Sequence, residues 1–150
     1  MKQTYLIAAC LVMTSCVNSI HGYEDAEKTE LKFSVKYDVS SFNTLKTRAG
    51  LNGACSSLKY YNYDSSGELE NSLSQESASS GFGSIKDKVS LGSHDFYFVG
   101  TSATDCTFDY ATGLLSFNKV TDTFVSHLSL TVEKGTAAPA ISLNRVTALI

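Results

Sequence analysis

Tryptophan is absent from this chain, and proline occurs once, at Pro139. A single proline excludes Pro-rich linkers and polyproline recognition segments. Without tryptophan, any aromatic work falls to eight tyrosines and eight phenylalanines. Charge is sparse as well, since charged residues make up 18% of the chain and the net charge is −3. That balance gives no concentrated basic surface and excludes nucleic acid as a partner. No apolar run is long enough to span a bilayer, and no stretch holds a sustained helical period. Also missing are a Cys-x-x-Cys pair, a His-Glu-x-x-His pair, a Gly-x-Ser-x-Gly elbow and a glycine-rich loop with lysine. The usual signatures of zinc, redox, hydrolase and nucleotide chemistry therefore go with them.

The N-terminus is the most specific feature present. Met1-Lys2-Gln3-Thr4 gives a short basic start, and Tyr5 to Met13 gives an apolar stretch of secretory rather than membrane-spanning length. Thr14 and Ser15 are small residues that a signal peptidase can seat, and Cys16 follows. This order resembles the lipobox of bacterial lipoproteins, with Met13 standing where leucine is commonest. The resemblance implies cleavage before Cys16 and attachment of a diacylglyceryl group to its thiol. Each acyl chain would add about 0.8 kcal/mol per buried methylene, so two chains hold a protein on a membrane. The other reading is an ordinary secretory peptide in which Cys16 is incidental. Residues 1–15 are thus expected as a lipoprotein signal peptide. Residues 16–29, which contain Glu24, Asp25 and Glu27, are expected as an acidic tether, and residues 30–150 as one folded domain.

Within that domain the apolar residues recur with a period of two. Leu31, Phe33, Val35, Tyr37 and Val39 alternate with Lys32, Ser34, Lys36 and Asp38, which predicts a strand with one buried face. Residues 40–54 predict a loop and residues 56–63 a strand. Asp64-Ser65-Ser66-Gly67 predicts a turn and lacks the ligand spacing of a calcium loop. Residues 70–84, rich in Ser, Glu and Gly, predict an exposed loop at their centre, and residues 85–91 a strand. Phe96-Tyr97-Phe98-Val99 is apolar on both parities and predicts a central strand covered on two sides, with Gly100 as its stop. Short strands follow around residues 104–110 and 114–117. Phe124, Ser126, Leu128, Leu130 and Val132 predict one face of a long strand, with His127, Ser129, Thr131 and Glu133 on the other. The last segment changes parity between Leu143 and Val146, as a bulge near Asn144-Arg145 would produce. Short strands with turns between them predict an all-β, antiparallel β-sandwich.

Candidate chemistry is thin. Ser93, His94 and Asp95 are the residue types of a triad, but consecutive strand positions point to opposite faces and cannot assemble one among themselves. The histidines, at 21, 94 and 127, are expected on the tether or a wet strand face rather than around a metal. No enzyme, metal or cofactor is expected. Tyr60, Tyr61 and Tyr63 with Phe96 to Phe98 are expected chiefly as core, the other reading being a sugar-stacking platform. Cys55 and Cys106 remain after processing, and an exported protein allows a disulfide between them. Two separate apolar core residues fit equally well.

The order of segments resembles the fimbrial anchor and fimbrillin-like lipoproteins of the Bacteroides group, the family that includes FimB. Four segments carry the resemblance: Thr47-Arg48-Ala49, Leu58-Lys59-Tyr60-Tyr61-Asn62-Tyr63-Asp64-Ser65-Ser66-Gly67, Leu91-Gly92-Ser93-His94-Asp95-Phe96-Tyr97-Phe98-Val99 and Ile141-Ser142-Leu143-Asn144-Arg145-Val146. It implies a transthyretin-like sandwich, the first of two in the family pattern, which would continue past Ile150. It also implies a pilus anchor or accessory subunit, lipid-anchored in the outer membrane and joined to fimbrial subunits by strand exchange. The displaced acidic cluster favours outer-membrane attachment over surface display. By the same resemblance Arg48 is a candidate site of proteolytic processing, against the plainer reading of an exposed loop arginine. The alternative function is a lipoprotein binding module for glycans or host protein, with residues 70–84 as its contact surface.

Overall fold

Alternation in the sequence becomes sheet in the computed structural model, which describes residues 27–37, 51–117 and 121–146. Cys16, His21 and Arg48 lie outside the described residues. The first strand, β1 (Lys28–Tyr37), buries Leu31, Phe33 and Val35 and exposes the lysines and serine between them. One helical turn, α1 (Leu51–Ala54), stands at the end of the expected loop. Then come β2 (Ser57–Asp64), β3 (Leu69–Glu76), β4 (Ser84–Ser90) and β5 (Gly92–Thr101). A small hairpin, β6 (Thr107–Asp109) with β7 (Leu114–Ser116), precedes β8 (Thr123–Val132) and β9 (Ala140–Arg145). No helix among the described residues is long and apolar enough to cross a membrane.

Seven strands run in the order β3-β2-β5-β8-β9-β1-β4, and the fold is an all-β sandwich approaching a barrel. The turn between the layers is made by β9. Its residues Ala140 to Leu143 pair with β1, and Asn144 and Arg145 pair with β8. The parity change expected as a bulge is therefore a change of partner: the strand leaves one layer and joins the other at that point. The β1–β9 pair is parallel, a departure from the purely antiparallel expectation.

The opposite margin is closed differently. β3 and β4 share no backbone ladder, and side chains of β3 bridge the gap. The Gln75 amide donates to the Ser84 carbonyl at 2.8 Å and accepts from the Gly83 amide at 3.0 Å, imitating one rung of a sheet. Asn71 donates to Asp87 at 2.6 Å, and the Ser90 amide donates to Glu70 at 3.1 Å. The exposed loop expected at the centre of residues 70–84 is the turn at 77–83, and the polar stretch before it belongs to β3. Its polar sequence hides a strand because these side chains do the work that apolar packing does elsewhere.

Between the layers Phe33, Tyr60, Phe96 and Phe98 meet, with Phe33 5.2 Å from both Phe96 and Phe98 by ring centroid. Each fully buried ring contributes roughly 1.5–3 kcal/mol. Gly100, expected as a stop, lies inside β5 opposite Leu58 and Phe124. A Cβ there would sit 3.0 Å from Cys55 Sγ and 3.0 Å from Leu143 Cδ1. Close packing, rather than termination, accounts for this glycine. Cys55 and Cys106 are free and buried in different clusters, Cys55 in the main core and Cys106 in a smaller one with Val99 and Ala103.

Candidate functional site

β5 lies between β2 and β8 with its inner face buried and its outer face only partly covered, short of the two-sided cover its sequence predicts, and the two faces carry two polar constellations. On the inner face His94 is buried, against the expectation of a wet position. Its Nδ1 lies 2.9 Å from Asn62 Oδ1 and its Nε2 lies 3.0 Å from the Ser90 carbonyl. Asp87, also buried, accepts from the Tyr60 hydroxyl at 2.7 Å and from the amides of Asn62 at 3.2 Å and Asn71 at 2.6 Å. Burial first, and then the Asp87 carboxylate, push the Tyr60 hydroxyl far above its ordinary pKa, so it stays a donor.

Glu70 enters this network through a local irregularity. The register passes from Asn62–Asn71 to Tyr63–Leu69, leaving Glu70 as the extra residue of a bulge. The bulge aims its carboxylate toward the Ser90 amide and hydroxyl, with Lys28 Nζ at 3.3 Å and His94 Nδ1 at 3.5 Å. No buried side-chain polar atom among the described residues lacks a partner. The network is closed and satisfied, which suits a device that fixes register between β2, β3 and β4.

The outer face is open. Strand pairing sets Tyr61, Tyr97 and His127 in one cross-strand row, and Tyr63, Asp95 and Ser129 in the next. Phe108 and Tyr110, carried by β6 and the turn after it, fold over these rows. Tyr110 stacks on Tyr63 with centroids 4.0 Å apart, Tyr97 stacks on His127 at 4.4 Å, and Phe108 lies 4.7 Å from Tyr97. The six aromatics of the sequence reading thus divide. Tyr60, Phe96 and Phe98 are core, while Tyr61, Tyr63 and Tyr97 belong to the outer face.

Asp95 is the centre of that face. Its Oδ1 accepts from the Ser129 hydroxyl at 2.5 Å and lies 2.9 Å from His127 Nε2, and its Oδ2 takes the Tyr110 hydroxyl at 3.4 Å. The Ser129 bond, then the His127 contact, hold the Asp95 carboxyl below the usual aspartate range against the opposing effect of partial burial. Serine, histidine and aspartate meet here in space, but not in the order of a proton relay. The Ser129 proton goes to Asp95, and one nitrogen of His127, Nε2, faces both the carboxylate and the Ser129 oxygen at 3.4 Å. Nor are the cysteines activated: burial raises both thiols, Cys55 to about 11. Among the described residues no His, Cys, Asp and Glu side chains group to hold a metal ion.

Two clefts flank the outer aromatics. One, of about 260 Å³, is polar and is bounded by Asp64, Ser93, Asp95, Tyr110, Ser129 and Thr131. The other, of about 360 Å³, is mainly apolar and lies between Tyr97, Phe108, Leu114, Leu115, Val125 and Val146. Alternation alone assigns Tyr61, Tyr63 and Tyr97 to one parity. Nothing in the sequence pattern shows that Phe108 and Tyr110 return to cover them.

No family model and no curated protein matches the chain by sequence. Its fold, however, is shared by solved structures. One, from Bacteroides thetaiotaomicron, is described as a candidate polysaccharide-binding protein; it superposes with a TM-score of 0.54 at 16% identity, over 77% of this chain and 46% of that one. Another, a candidate adhesin from Bacteroides ovatus, gives a TM-score of 0.55 at 13% identity, over 79% of this chain and 46% of the other. A fimbrial assembly protein from Parabacteroides distasonis aligns with a TM-score of 0.37 at 11% identity. The chain spans less than half the length of the first two structures, and its likeness to them is one of fold.

Proposed function

We infer that this chain is a cell-envelope structural protein of the fimbrial anchor or accessory class, held at the outer membrane by acyl chains on Cys16. In this reading residues 1–15 are removed, the tether runs from Cys16 to the start of β1, which takes in Lys28 and Thr29 of the expected tether, and the sandwich that β1 opens is the working part. The observation that carries it is the lipobox-like run ending at Cys16, followed by a sandwich whose fold is that of a solved Bacteroides candidate adhesin. The geometry is consistent with a mechanical task. A satisfied inner network and a core of interlocked rings make a stiff body, and the outer constellation lacks the order of a hydrolytic relay.

Assembly with a pilus subunit would use sheet edges. The margin between β3 and β4 is joined by side chains such as Gln75, so a partner's extended strand meets backbone groups there with less competition than inside the ladder. Arg48 is read as a residue that is not cut.

The test is fractionation of cells expressing the Cys16→Ala variant. Release of a folded, soluble domain is expected, together with loss of co-purification with pilus subunits. Retention of that variant in the membrane fraction overturns the anchoring. A wild-type chain that enters the membrane but never co-purifies with pilus subunits overturns the fimbrial role alone.

A further inference from the structure

The polar cleft on the outer face has no part in the anchoring or assembly described above. Its floor is the Asp95–Ser129 pair of β5 and β8. The next outward pair of the same two strands, Ser93 and Thr131, extends it, and Tyr110 forms a wall. That wall is held in place, because Tyr110 stacks on Tyr63 with the rings 13° from parallel. The cleft has the size for one small ring, a little under the range typical of drug-sized ligand pockets.

Its chemistry is selective. Asp95 Oδ1 has two close partners, whereas Oδ2, among the described residues, receives the long bond from Tyr110 and keeps acceptor capacity. The Ser93 and Thr131 hydroxyls stand 3.4 Å apart, a weak contact that leaves each able to donate to a ligand or accept from it. An anionic ligand would meet the carboxylates of Asp64 and Asp95. A cationic side chain would find more hydroxyls than carboxylates, and Asp64 Oδ1 already accepts from the amides of Ser66 and Glu68. A neutral ring bearing several hydroxyls matches what remains. Its O–H groups can donate to Asp95 and exchange bonds with serine and threonine, while its C–H face lies on tyrosine.

We propose that the cleft bounded by Asp95, Ser129, Thr131 and Tyr110 is a binding site for a pyranose sugar, either free or at the end of a glycan. The site belongs to the sandwich and is independent of lipid on Cys16. It also differs from the contact surface expected at residues 70–84, where β3 instead bridges to β4.

The experiment is a titration of the purified full-length chain in detergent micelles with a panel of methyl hexopyranosides and with trisaccharides ending in the same sugars. Tyrosine fluorescence and calorimetry supply the readout. Saturable binding is expected, with a dissociation constant of about 1 mM or tighter for at least one sugar. Asp95→Asn and Thr131→Val should each weaken it about tenfold, the loss expected for a hydrogen bond to a charged or ordered group. Leu114→Ser, in the neighbouring apolar cleft, should leave it unchanged. Equal thermal midpoints for Thr131→Val and wild type separate loss of binding from loss of fold. A trisaccharide that gains tenfold over its methyl glycoside marks a glycan end as the ligand, and equal affinity marks a free sugar; either result supports the site. Failure of every pyranoside to saturate, or affinity unaltered in both Asp95→Asn and Thr131→Val, overturns it. The Cys16→Ala protein binds the same sugars as wild type, so failure of the anchoring and failure of the site are read separately.

Discussion

Phe96 and Tyr97 are neighbours on one strand and belong to two different aromatic clusters. The inner cluster of Phe33, Tyr60, Phe96 and Phe98 is almost wholly shut from water and holds a single hydroxyl, which is tied to Asp87. The outer one combines Tyr61, Tyr63, Tyr97, Phe108 and Tyr110 with His127 and Asp95, and most of its members stay partly exposed. The inner rings join the two layers of the sandwich. Those outside only cover one layer, under a hairpin of two three-residue strands. Aromatic content by itself therefore says little about function. What separates a core from a site is how many sides of each ring are covered, and whether polar groups beside it already have all their partners.

That contrast is broken most severely by Phe96→Ala. Loss of a ring from the centre of the sandwich should lower unfolding free energy by about 3–5 kcal/mol, read as a lower urea midpoint. Tyr97→Ala, one residue away, removes a ring that is only partly buried and should cost clearly less. Equal losses at the two positions would mean that the outer cluster is a second core.

Removing one hydroxyl from each face makes a finer comparison. Tyr60→Phe keeps the ring and leaves buried Asp87 without its 2.7 Å donor, at an expected cost of about 1–3 kcal/mol. Tyr110→Phe loses a 3.4 Å bond at a partly exposed carboxylate, and its urea midpoint should barely move. A smaller effect is expected at the margin of the sandwich. Gln75→Ala should cost about 1 kcal/mol and speed hydrogen exchange at the Gly83 amide, which donates to Gln75.

The sequence makes these two clusters unequally legible. β1, β5 and β8 follow from alternation because one or both of their faces are apolar, and the division of Tyr60 from Tyr61 follows from parity. β3 does not, since Asn71 and Gln75 hold it by hydrogen bonds to β4, and a stretch of serine and glutamate has the composition of a loop. Gly100 reads as a stop because composition cannot show that Cys55 and Leu143 press against it. His94 reads as wet because its buried partner Asn62 and the Ser90 carbonyl reach it only through pairing between strands. His127 and Ser129 sit on the predicted wet face of their strand, but their meeting with Asp95 depends on the β5–β8 register. Tyr110 joins them only through a hairpin whose return over the sheet has no sequence signature.

The smallest effect separates the two faces by pH. Asp95 titrates below its ordinary value of 3.8, chiefly because Ser129 donates to it and next because of His127. A carboxyl whose pKa is depressed by folding contributes stability above its unfolded value, and that stability is lost as pH falls through the folded value. The contribution of the Asp95 carboxyl should thus persist down to the ordinary aspartate range and be lost only below it. Because the His127 and Asp95 side chains are partly exposed, the stability at stake is no more than about 0.2–1 kcal/mol. Ser129→Ala removes the largest cause, so the Asp95 carboxyl should titrate at higher pH in that variant, closer to 3.8. A carbon-detected NMR titration of the Asp95 side chain measures the shift. Because protonation removes the acceptor that the sugar site requires, affinity for a pyranoside should fall at a higher pH in Ser129→Ala than in wild type. If the carboxyl moved and the affinity did not follow, Asp95 would be a structural member of the outer face and no part of a binding site.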